Sequence, residues 1–297
     1  MAPEPRITRS KILYGSAEEA ELEMWDDLDQ FYRHHLQELL PKMESLDDDI
    51  WGKVILMERN KRIAKAYLRK SKLCIDGGKR PFDGLNLGWN YFNNANRDPQ
   101  VNELRMKIDQ GVLITMDREG SLWAMASNTA PVYVQGWRER ERHCFSQKLI
   151  QLQGRLPTAE PYDMQKAENS KRAVKVFDMG QFRRAMEQPS VTSSPKELVY
   201  KSCVRMALVK DGGCPLKTPC WFLLINLIAV DMLNSQLGQL ADALVPSPLA
   251  TPLNARRPFG SNWSADGVDL TCPPSAGSGV DLGEVDLDHV WLFGRQV

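Results

Sequence analysis

The sequence predicts a mainly β protein, a sandwich of short antiparallel strands with helices at its ends. Three observations support this class. The chain has 297 residues, of which 42% are hydrophobic, so it can bury a sizeable core. From about Trp51 onward, short apolar runs alternate with clusters of Gly, Asp and Asn, as strands alternate with turns. Before that point, apolar residues recur at helical spacing, which predicts one amphipathic helix.

Residues 1–47 are predicted to hold this amphipathic helix and its lead-in. The apolar stripe stops at Pro41 and consists of Leu22, Trp25, Leu28, Phe31, His35, Leu36 and Leu39. A stripe of this kind must lie on a surface. Two interpretations stay open: the helix packs on the domain that follows, or it docks onto a partner. The pair His34 and His35 falls on this helix, and we expect the pair at the protein surface.

Short β-type runs between residues 48 and 241 predict the strands of the sandwich. The clearest runs are 54–56, 66–68, 73–75, 112–114, 122–124, 132–134, 173–177 and 220–227. Residues 198–209 form a further apolar segment, and helical patterns occur at 101–108, 181–187 and 228–240. Trp123, Cys220 and Trp221 lie in the strand runs. We expect them in the core, because aromatic side chains contribute the largest apolar area.

The composition changes after Ala241, where Pro, Ser, Gly and Asp replace most apolar residues. Such a segment cannot offset its chain entropy by burial, so residues 242–297 are predicted to form a disordered tail. One apolar island near the end consists of Trp291, Leu292 and Phe293. The island is a candidate partner motif, or it folds back onto the domain.

Charge and motif content exclude several classes of function. The 38 basic residues balance the 38 acidic residues, so no global field attracts nucleic acid, and we expect no direct DNA binding. No apolar run is long enough to span a membrane and no signal sequence is evident, so we expect no membrane insertion and a cytoplasmic and nuclear location. The chain has no nucleophile elbow, phosphate loop or metal-ligand spacing. We therefore expect no catalytic residues, no metal and no cofactor.

A series of motifs between Asp48 and Leu240 occurs in an order that points to one family. In chain order they are Trp51-Gly52-Lys53-Val54, Ile75-Asp76-Gly77, Leu87-Gly88, Asn94-Ala95-Asn96-Arg97, Gln110-Gly111-Val112, Gly120 to Ala124, Val132 to Gln135, Val174 to Asp178, Gln181-Phe182, Cys203 to Lys210, and Thr218-Pro219-Cys220-Trp221. A single motif of this kind is weak evidence, whereas the ordered set is specific. The set resembles the C-terminal Mad-homology domain of the Smad family.

The resemblance implies both an architecture and candidate site residues. It implies an antiparallel β-sandwich capped by a helical bundle at one end and a loop-helix region at the other. It also implies homo- or hetero-trimers, formed by packing one end against the next. Asp76 and Asp231 match acidic positions that the family uses at the trimer interface, opposite an Arg for which Arg80 is the nearest candidate. Lys148 and Lys210 match two lysines that contact phosphoserine in the family, although two solvated lysines would look the same.

Departures from the family pattern indicate a divergent, stand-alone relative. Between Lys210 and Thr218 the chain has only seven residues, whereas the family has a longer loop with Trp, Tyr and Arg. The chain ends without the Ser-x-Ser motif of receptor-activated members, and no room precedes Trp51 for the family's DNA-binding domain. We expect a non-enzymatic protein-interaction module in or beside transforming-growth-factor-β/Smad signalling and its transcriptional regulation, with Smad-like or other signalling proteins as partners. The alternative is a cytosolic scaffold that acts outside transcription.

Overall fold

Two β-sheets pack face to face in the computed structural model, which describes residues 23–94, 96–127, 130–159, 172–187, 194–237 and 244. The strands are β1 (Gly52–Glu58), β2 (Lys61–Leu68), β3 (Lys72–Asp76), β4 (Asn86–Gly88), β5 (Val112–Met116), β6 (Leu122–Ser127), β7 (Val132–Gln135), β8 (Thr158–Ala159), β9 (Val174–Phe177), β10 (Cys203–Leu208) and β11 (Trp221–Asn226). The predicted β-sandwich is confirmed.

The first sheet has five strands in the order β2-β1-β11-β10-β7, and all of its neighbours are antiparallel. The second sheet follows the order β4-β3-β5-β6, and the outer edge of β6 pairs with both β8 and β9. Two short pairs, β3 with β4 and β6 with β8, are parallel. All seven residues of β1 are buried, so a second layer must cover the side of the first sheet that faces away from the sandwich.

Six α-helices accompany the sheets within the described residues. They are α1 (Leu28–Leu39), α2 (Pro99–Arg105), α3 (Gln147–Gln151), α4 (Met179–Glu187), α5 (Pro195–Lys201) and α6 (Leu227–Leu237). Short 3-10 helices lie at Leu40–Ser45, Trp89–Tyr91, Arg140–Arg142 and Pro215–Lys217. None of the helices that the structure describes is both long and apolar enough to cross a membrane.

Helices and loops gather at opposite ends of the sandwich, as the family resemblance implied. Helices α4, α5 and α6 pack against one another, and this bundle end also holds the β5–β6 turn, whose Gly120 carbonyl accepts from Asn226 Nδ2 at 2.9 Å. The loop end holds residues 77–80, the 3-10 helix Trp89–Tyr91 and residues 106–110. There the Gly77 N–H donates to the Asp109 carbonyl at 2.6 Å. Strand β5 separates the two ends by roughly 17 Å.

Helix α1 covers the outer face of the first sheet, so the interpretation that it packs on its own domain is the one the structure shows. Asp27 caps the helix, since its Oδ1 accepts from the Gln30 N–H at 2.6 Å. The helix buries Leu28, Phe31, Tyr32, His35, Leu36 and Leu39. The Phe31 ring lies 5.2 Å from the Trp221 ring of β11.

Three expectations about particular residues were wrong. Trp25 precedes the helix, which begins at Leu28, and its neighbour Met24 forms an antiparallel bridge with Lys61 of β2. His35 is fully buried, and only His34 lies at the surface. Trp123 is only half-buried. Its Nε1 donates to Asp117 Oδ2 at 2.8 Å, and the Lys175 ammonium lies over its ring.

Trp221 and Cys220 are both buried, as expected, but the Trp221 ring lies beneath α1 and not between the two sheets. Its Nε1 donates to the Arg59 carbonyl at 2.7 Å. The domain boundaries at 47, 48, 241 and 242 remain predictions. Leu244, just beyond the last of them, is buried and its carbonyl accepts from Gln37 Nε2 of α1 at 3.2 Å.

Candidate interaction surfaces

The loop end brings two of the predicted interface residues together. Asp76 is the last residue of β3 and is almost fully buried, and its Oδ1 accepts from the Gly78 N–H at 2.7 Å. Its other oxygen forms an ion pair with Arg80, whose side chain is 58% exposed. The cation expected opposite Asp76 across an interface is therefore already bound to it within the same chain. The exposed side of the Arg80 guanidinium stays accessible to a second carboxylate.

An open depression lies beside this ion pair. Cys74, Asp76, Gly77, Gly78, Arg80, Asn90, Met106, Asp109 and Gln110 line it. Asn90 links the two sides of the depression, because its Nδ2 donates to the Gly77 carbonyl at 2.6 Å. Met106 is 59% exposed, and Tyr91 on the neighbouring 3-10 helix is also exposed. An ion pair next to exposed apolar side chains suits contact with another protein better than contact with a small ligand.

Asp231 lies at the bundle end, away from Asp76. It is exposed on α6, one turn after the helix begins at Leu227. The first turn of α6 contacts the β5–β6 turn, because Ile228 lies against Gly120. Asp76 and Asp231 are thus at opposite ends of the molecule and cannot share one site in a single chain. Their separation fits a head-to-tail contact between copies.

Lys210 lies at the loop end of the first sheet, directly after β10, and its side chain is exposed. The residue before it, Val209, has a φ of 67°, which is strained for a β-branched residue. The Lys210 N–H donates to the Leu208 carbonyl at 2.7 Å, so Val209 is the centre of a γ-turn. Nothing in the sequence pattern predicted this turn. It reverses the chain sharply and sets where Lys210 leaves the sheet.

Lys148 lies on a different element from Lys210. It is exposed on α3, which Ser146 caps by accepting from the Leu149 N–H at 3.3 Å. The Ser146 hydroxyl in turn donates to the Lys175 carbonyl of β9 at 2.7 Å, which fixes the helix on the flank of the sandwich. Neither lysine lines the depression at the loop end. A role for Lys148 and Lys210 in binding a phosphorylated segment stays a prediction.

A buried ionic cluster lies beneath α1. Lys53 of β1 is 0% exposed, and its Nζ donates to Glu38 Oε2 of α1 at 2.9 Å. Lys65 of β2 donates to the other Glu38 oxygen at 2.7 Å. Burial lowers the pKa of Lys53 to about 8, although Glu38 opposes the shift. Burial alone would raise the pKa of Glu38, but hydrogen bonds and the two ammonium groups lower it well below its usual range.

His34, His35 and Glu38 are the one group of described residues whose ligand atoms are close enough to hold a metal. Both Glu38 oxygens already accept from lysine ammonium groups, which would repel a cation. His35 Nδ1 lies 3.9 Å from Glu38, too far for a hydrogen bond. Burial lowers the pKa of His35 to about 3, so the ring is neutral at physiological pH. The geometry describes an ion-pair cluster and not a metal centre.

Arg205 of β10 is a second buried cation under α1. Its Nη2 donates to Gln135 Oε1, and Gln135 in turn donates to Asp211. Its Nη1 has no hydrogen-bond partner, and the buried Tyr32 hydroxyl of α1 has none either. Burial raises the pKa of Tyr32, while the nearby Arg205 charge opposes that shift. Arg205 therefore has no carboxylate in direct hydrogen-bond contact among the described residues, and the Asp211 charge acts on it across the Gln135 amide.

Sequence reasoning missed that the charged residues Lys53 and Arg205 are buried under α1. One signal was available: Lys53 is the single charged residue in the strand run Gly52 to Met57, and Glu38 lies beside the apolar stripe of the helix. A lone charge in a continuously apolar strand needs a counter-charge from whatever covers it. The remaining candidates, Trp291, Leu292 and Phe293, lie outside the described residues.

Comparisons with known proteins found one family model and several solved structures that are similar to this chain. The family model of the MH2 domain, the Smad C-terminal Mad-homology domain, matches residues 49–227. The chain is also similar to the IAD domain of Interferon Regulatory Factor 9, with 12% identity over 67% of this chain and 95% of that chain and a TM-score of 0.39. A crystal structure of STAT2 in complex with IRF9 matches at 12% identity over 64% and 98% of the two chains, with a TM-score of 0.41. Because the family match covers more than half of its residues, this chain belongs to the MH2 domain family.

Proposed function

We propose that this protein is a non-catalytic interaction module that associates end to end with Smad-like proteins. Its place is in or beside transforming-growth-factor-β/Smad signalling and its transcriptional regulation, in the cytoplasm and nucleus, without direct contact to DNA. The contact joins the loop end of one molecule to the bundle end of the next. The partner is a second copy or another MH2 domain, and a homo- or hetero-trimer is the closed form of such a contact.

One observation carries the proposal: Asp76 with Arg80 and Asp231 lie at opposite ends of a domain that belongs to an interaction family. Arg80 is largely exposed, and one side of its guanidinium faces solvent beside the Asp76 carboxylate. An Asp231 carboxylate from a neighbour would complete an acid-base-acid arrangement around Arg80. Burying two carboxylates without that cation would be unfavourable, so Arg80 supplies the compensation that such an interface requires.

Exposed apolar side chains give this contact its hydrophobic part. Met106 and Tyr91 lie next to the Asp76–Arg80 pair and are exposed in the single chain. Interface cores are enriched in Tyr, Met and Arg relative to the rest of a protein surface. The loop end therefore combines the residue types of an interface centre with a charged rim.

Light scattering on the purified full chain tests the proposal, alone and mixed with a purified MH2 domain of a receptor-regulated Smad. We expect a concentration-dependent rise in mass toward a trimer. Asp231→Arg should lower the association constant at least tenfold, because it places a cation opposite Arg80. Gln151→Arg is the control for the arginine side chain itself, since it introduces the same side chain at an exposed position on α3, with a charge change of +1 against +2 for Asp231→Arg.

Three results would count against this function. A chain that stays monomeric at all concentrations, alone and with the Smad domain, would contradict end-to-end association. Equal decreases in the association constant for Asp231→Arg and Gln151→Arg would show that Asp231 does not lie in the contact. Association only with proteins outside Smad signalling would favour a cytosolic scaffold that acts outside transcription.

A further inference from the structure

We propose that the outer face of the five-stranded sheet is a second interaction surface, which takes an acidic amphipathic helix, and that α1 is the resident occupant a partner helix displaces. This surface consists of the outward side chains of β1, β2, β10 and β11, and it lies away from both ends of the sandwich. It is independent of the end-to-end contact proposed above.

The first argument is the charge of this face. Three of its cationic side chains are buried: Lys53 on β1, Arg62 on β2 and Arg205 on β10. Lys53 pairs with Glu38, and Arg62 pairs with Glu23 in the segment just before α1. A sheet that served only to bury apolar surface would not carry three buried cations, because each must be compensated by the covering element. The face therefore selects a covering helix that brings carboxylates.

The second argument is that α1 satisfies this face incompletely. Four buried polar atoms at the contact have no hydrogen-bond partner: Tyr32 Oη, His35 Nδ1, His35 Nε2 and Arg205 Nη1. Elsewhere in the described residues, only Trp89 Nε1 and Arg140 Nε are buried without a hydrogen bond or an ion pair. Buried polar atoms in native proteins almost always have a hydrogen-bond partner. Their concentration under one helix means that α1 satisfies this face less completely than the rest of the described core is satisfied.

The third argument concerns which occupant fits better than α1. The Arg205 guanidinium contacts the Gln135 amide, and the carboxylate nearest to it, Asp211, is reached through that amide and not by a direct hydrogen bond. It lies beside the Tyr32 hydroxyl, on the side covered by the helix. A helix that supplies one carboxylate to Lys53 and a second to Arg205, with aromatic or aliphatic residues between them, would satisfy atoms that α1 leaves unpaired. Acidic amphipathic helices have this chemistry.

A peptide titration on the full chain tests the proposal. The probe is a fluorescent peptide with the sequence of residues Glu23 to Ser45. It contains α1, an acidic amphipathic helix that packs on this face in the intact chain. The receptor is the Phe31→Asp chain, in which a carboxylate in the apolar contact releases the resident helix. Gln30→Asp is the matched control, because Gln30 is exposed on the same helix. We expect the probe to bind the Phe31→Asp chain at least tenfold more tightly than the Gln30→Asp or unsubstituted chain.

A second pair of probes tests the need for the carboxylate. The Glu38→Gln peptide should bind the Phe31→Asp chain at least tenfold more weakly than the parent peptide, because Lys53 then stays buried without an anion. The Gln30→Ala peptide should bind like the parent. Equal affinities for the Glu38→Gln and parent peptides, or no preference for the Phe31→Asp chain, would overturn the proposal.

If Phe31→Asp does not fold, Leu36→Ala weakens the same contact without adding a charge and is used as the receptor. Cooperative thermal unfolding reports that either receptor is folded. Loss of folding in both variants would show that α1 is inseparable from the domain, and that outcome would also overturn the proposal.

Discussion

The two faces of the five-stranded sheet are both buried, yet they differ in chemistry. The inner face meets the second sheet mainly through apolar side chains, namely Val54, Leu56, Val204, Met206, Phe222 and Leu224, and its buried Asn226 donates to the Gly120 carbonyl. The outer face meets α1, and there Trp221 and Leu223 lie beside the cations Lys53 and Arg205. Burial alone therefore does not identify a permanent core. A face with buried charges is stable only if the element that covers it supplies polar or charged partners, whereas an apolar face needs only apolar side chains opposite it.

The largest effect that distinguishes the faces is expected from Trp221→Ala. The indole contacts Phe31 of α1 and donates to the Arg59 carbonyl, so its removal takes away the main apolar anchor of the helix. We expect a loss of about 3 to 5 kcal/mol in the free energy of unfolding, measured by denaturant titration. Trp123→Ala, at a half-buried position in the other sheet, is the control and should cost clearly less. A loss below about 1 kcal/mol for Trp221→Ala would contradict the placement.

The next effect is expected from the ion pair between Glu38 and Lys53. Glu38→Gln leaves the fully buried Lys53 ammonium without its anion, which should cost about 2 to 3 kcal/mol, reduced by the partial exposure of Glu38. Adding Lys53→Met should recover most of that loss, because an apolar side chain then replaces the uncompensated charge. A double-mutant cycle with chemical denaturation measures the coupling. Additive losses would mean that the two side chains do not interact.

Acid should weaken the outer face more than the inner one. Burial holds the pKa of His35 at about 3, whereas the unfolded chain binds the same proton near 6.5. Between these values the unfolded state holds a proton that the folded state lacks, so stability falls as the pH decreases. At pH 5, protonation of His35 in the unfolded chain lowers the free energy of unfolding by about 2 kcal/mol.

Urea titrations at pH 7.5 and 5.0 measure this loss. The buried His143, whose pKa burial also lowers to about 3, adds a similar loss that persists in every His35 variant. His35→Gln should therefore reduce the pH-dependent loss by about 2 kcal/mol relative to the unsubstituted chain. Equal losses in both proteins would contradict the assignment of a buried, neutral His35.

The smallest effects are expected at Lys148 and Lys210, which lie on neither buried face. Both side chains are exposed, so Lys148→Ala and Lys210→Ala should change the free energy of unfolding by less than about 0.5 kcal/mol. Two exposed lysines contribute about 1 kcal/mol each at most to anion binding, and salt screens them. A doubly phosphorylated Ser-x-Ser peptide should therefore bind weakly at physiological ionic strength. Micromolar binding that both substitutions abolish would restore these lysines as a phosphoserine site.

Periodicity was sufficient to predict the architecture. The runs 54–56 and 112–114 fall within strands, the run 220–227 contains β11 with one residue beyond each end, and the stripe from Leu28 to Leu39 is a helix. These signals are local, because each depends on residues a few positions apart. The pattern of the segment 198–209 did not show where a helix ends and a strand begins. The segment contains the end of α5 and all of β10, which meet at Ser202.

Contacts between distant residues could not be predicted in the same way. The stripe of α1 shows that the helix has an apolar face, but it does not show that Phe31 lies on Trp221, 190 positions later. The strained Val209 turn has no signal either, because β-branched residues rarely adopt a positive φ. The motif order placed Asp76 and Arg80 near each other, and their ion pair within one chain depends on a tight loop that only the structure shows.

Native-state hydrogen exchange on the full chain tests most directly the claim that the outer face is a contact made to open. The measurement compares the opening free energies of amides in α1, from Phe31 to Leu39, with those in β11, the central strand of the five-stranded sheet. The account predicts that the α1 amides exchange through a local opening at least about 2 kcal/mol below the global free energy of unfolding, which the β11 amides report. Exchange of both sets at one common free energy would show that α1 is part of a single cooperative core, and would contradict the account.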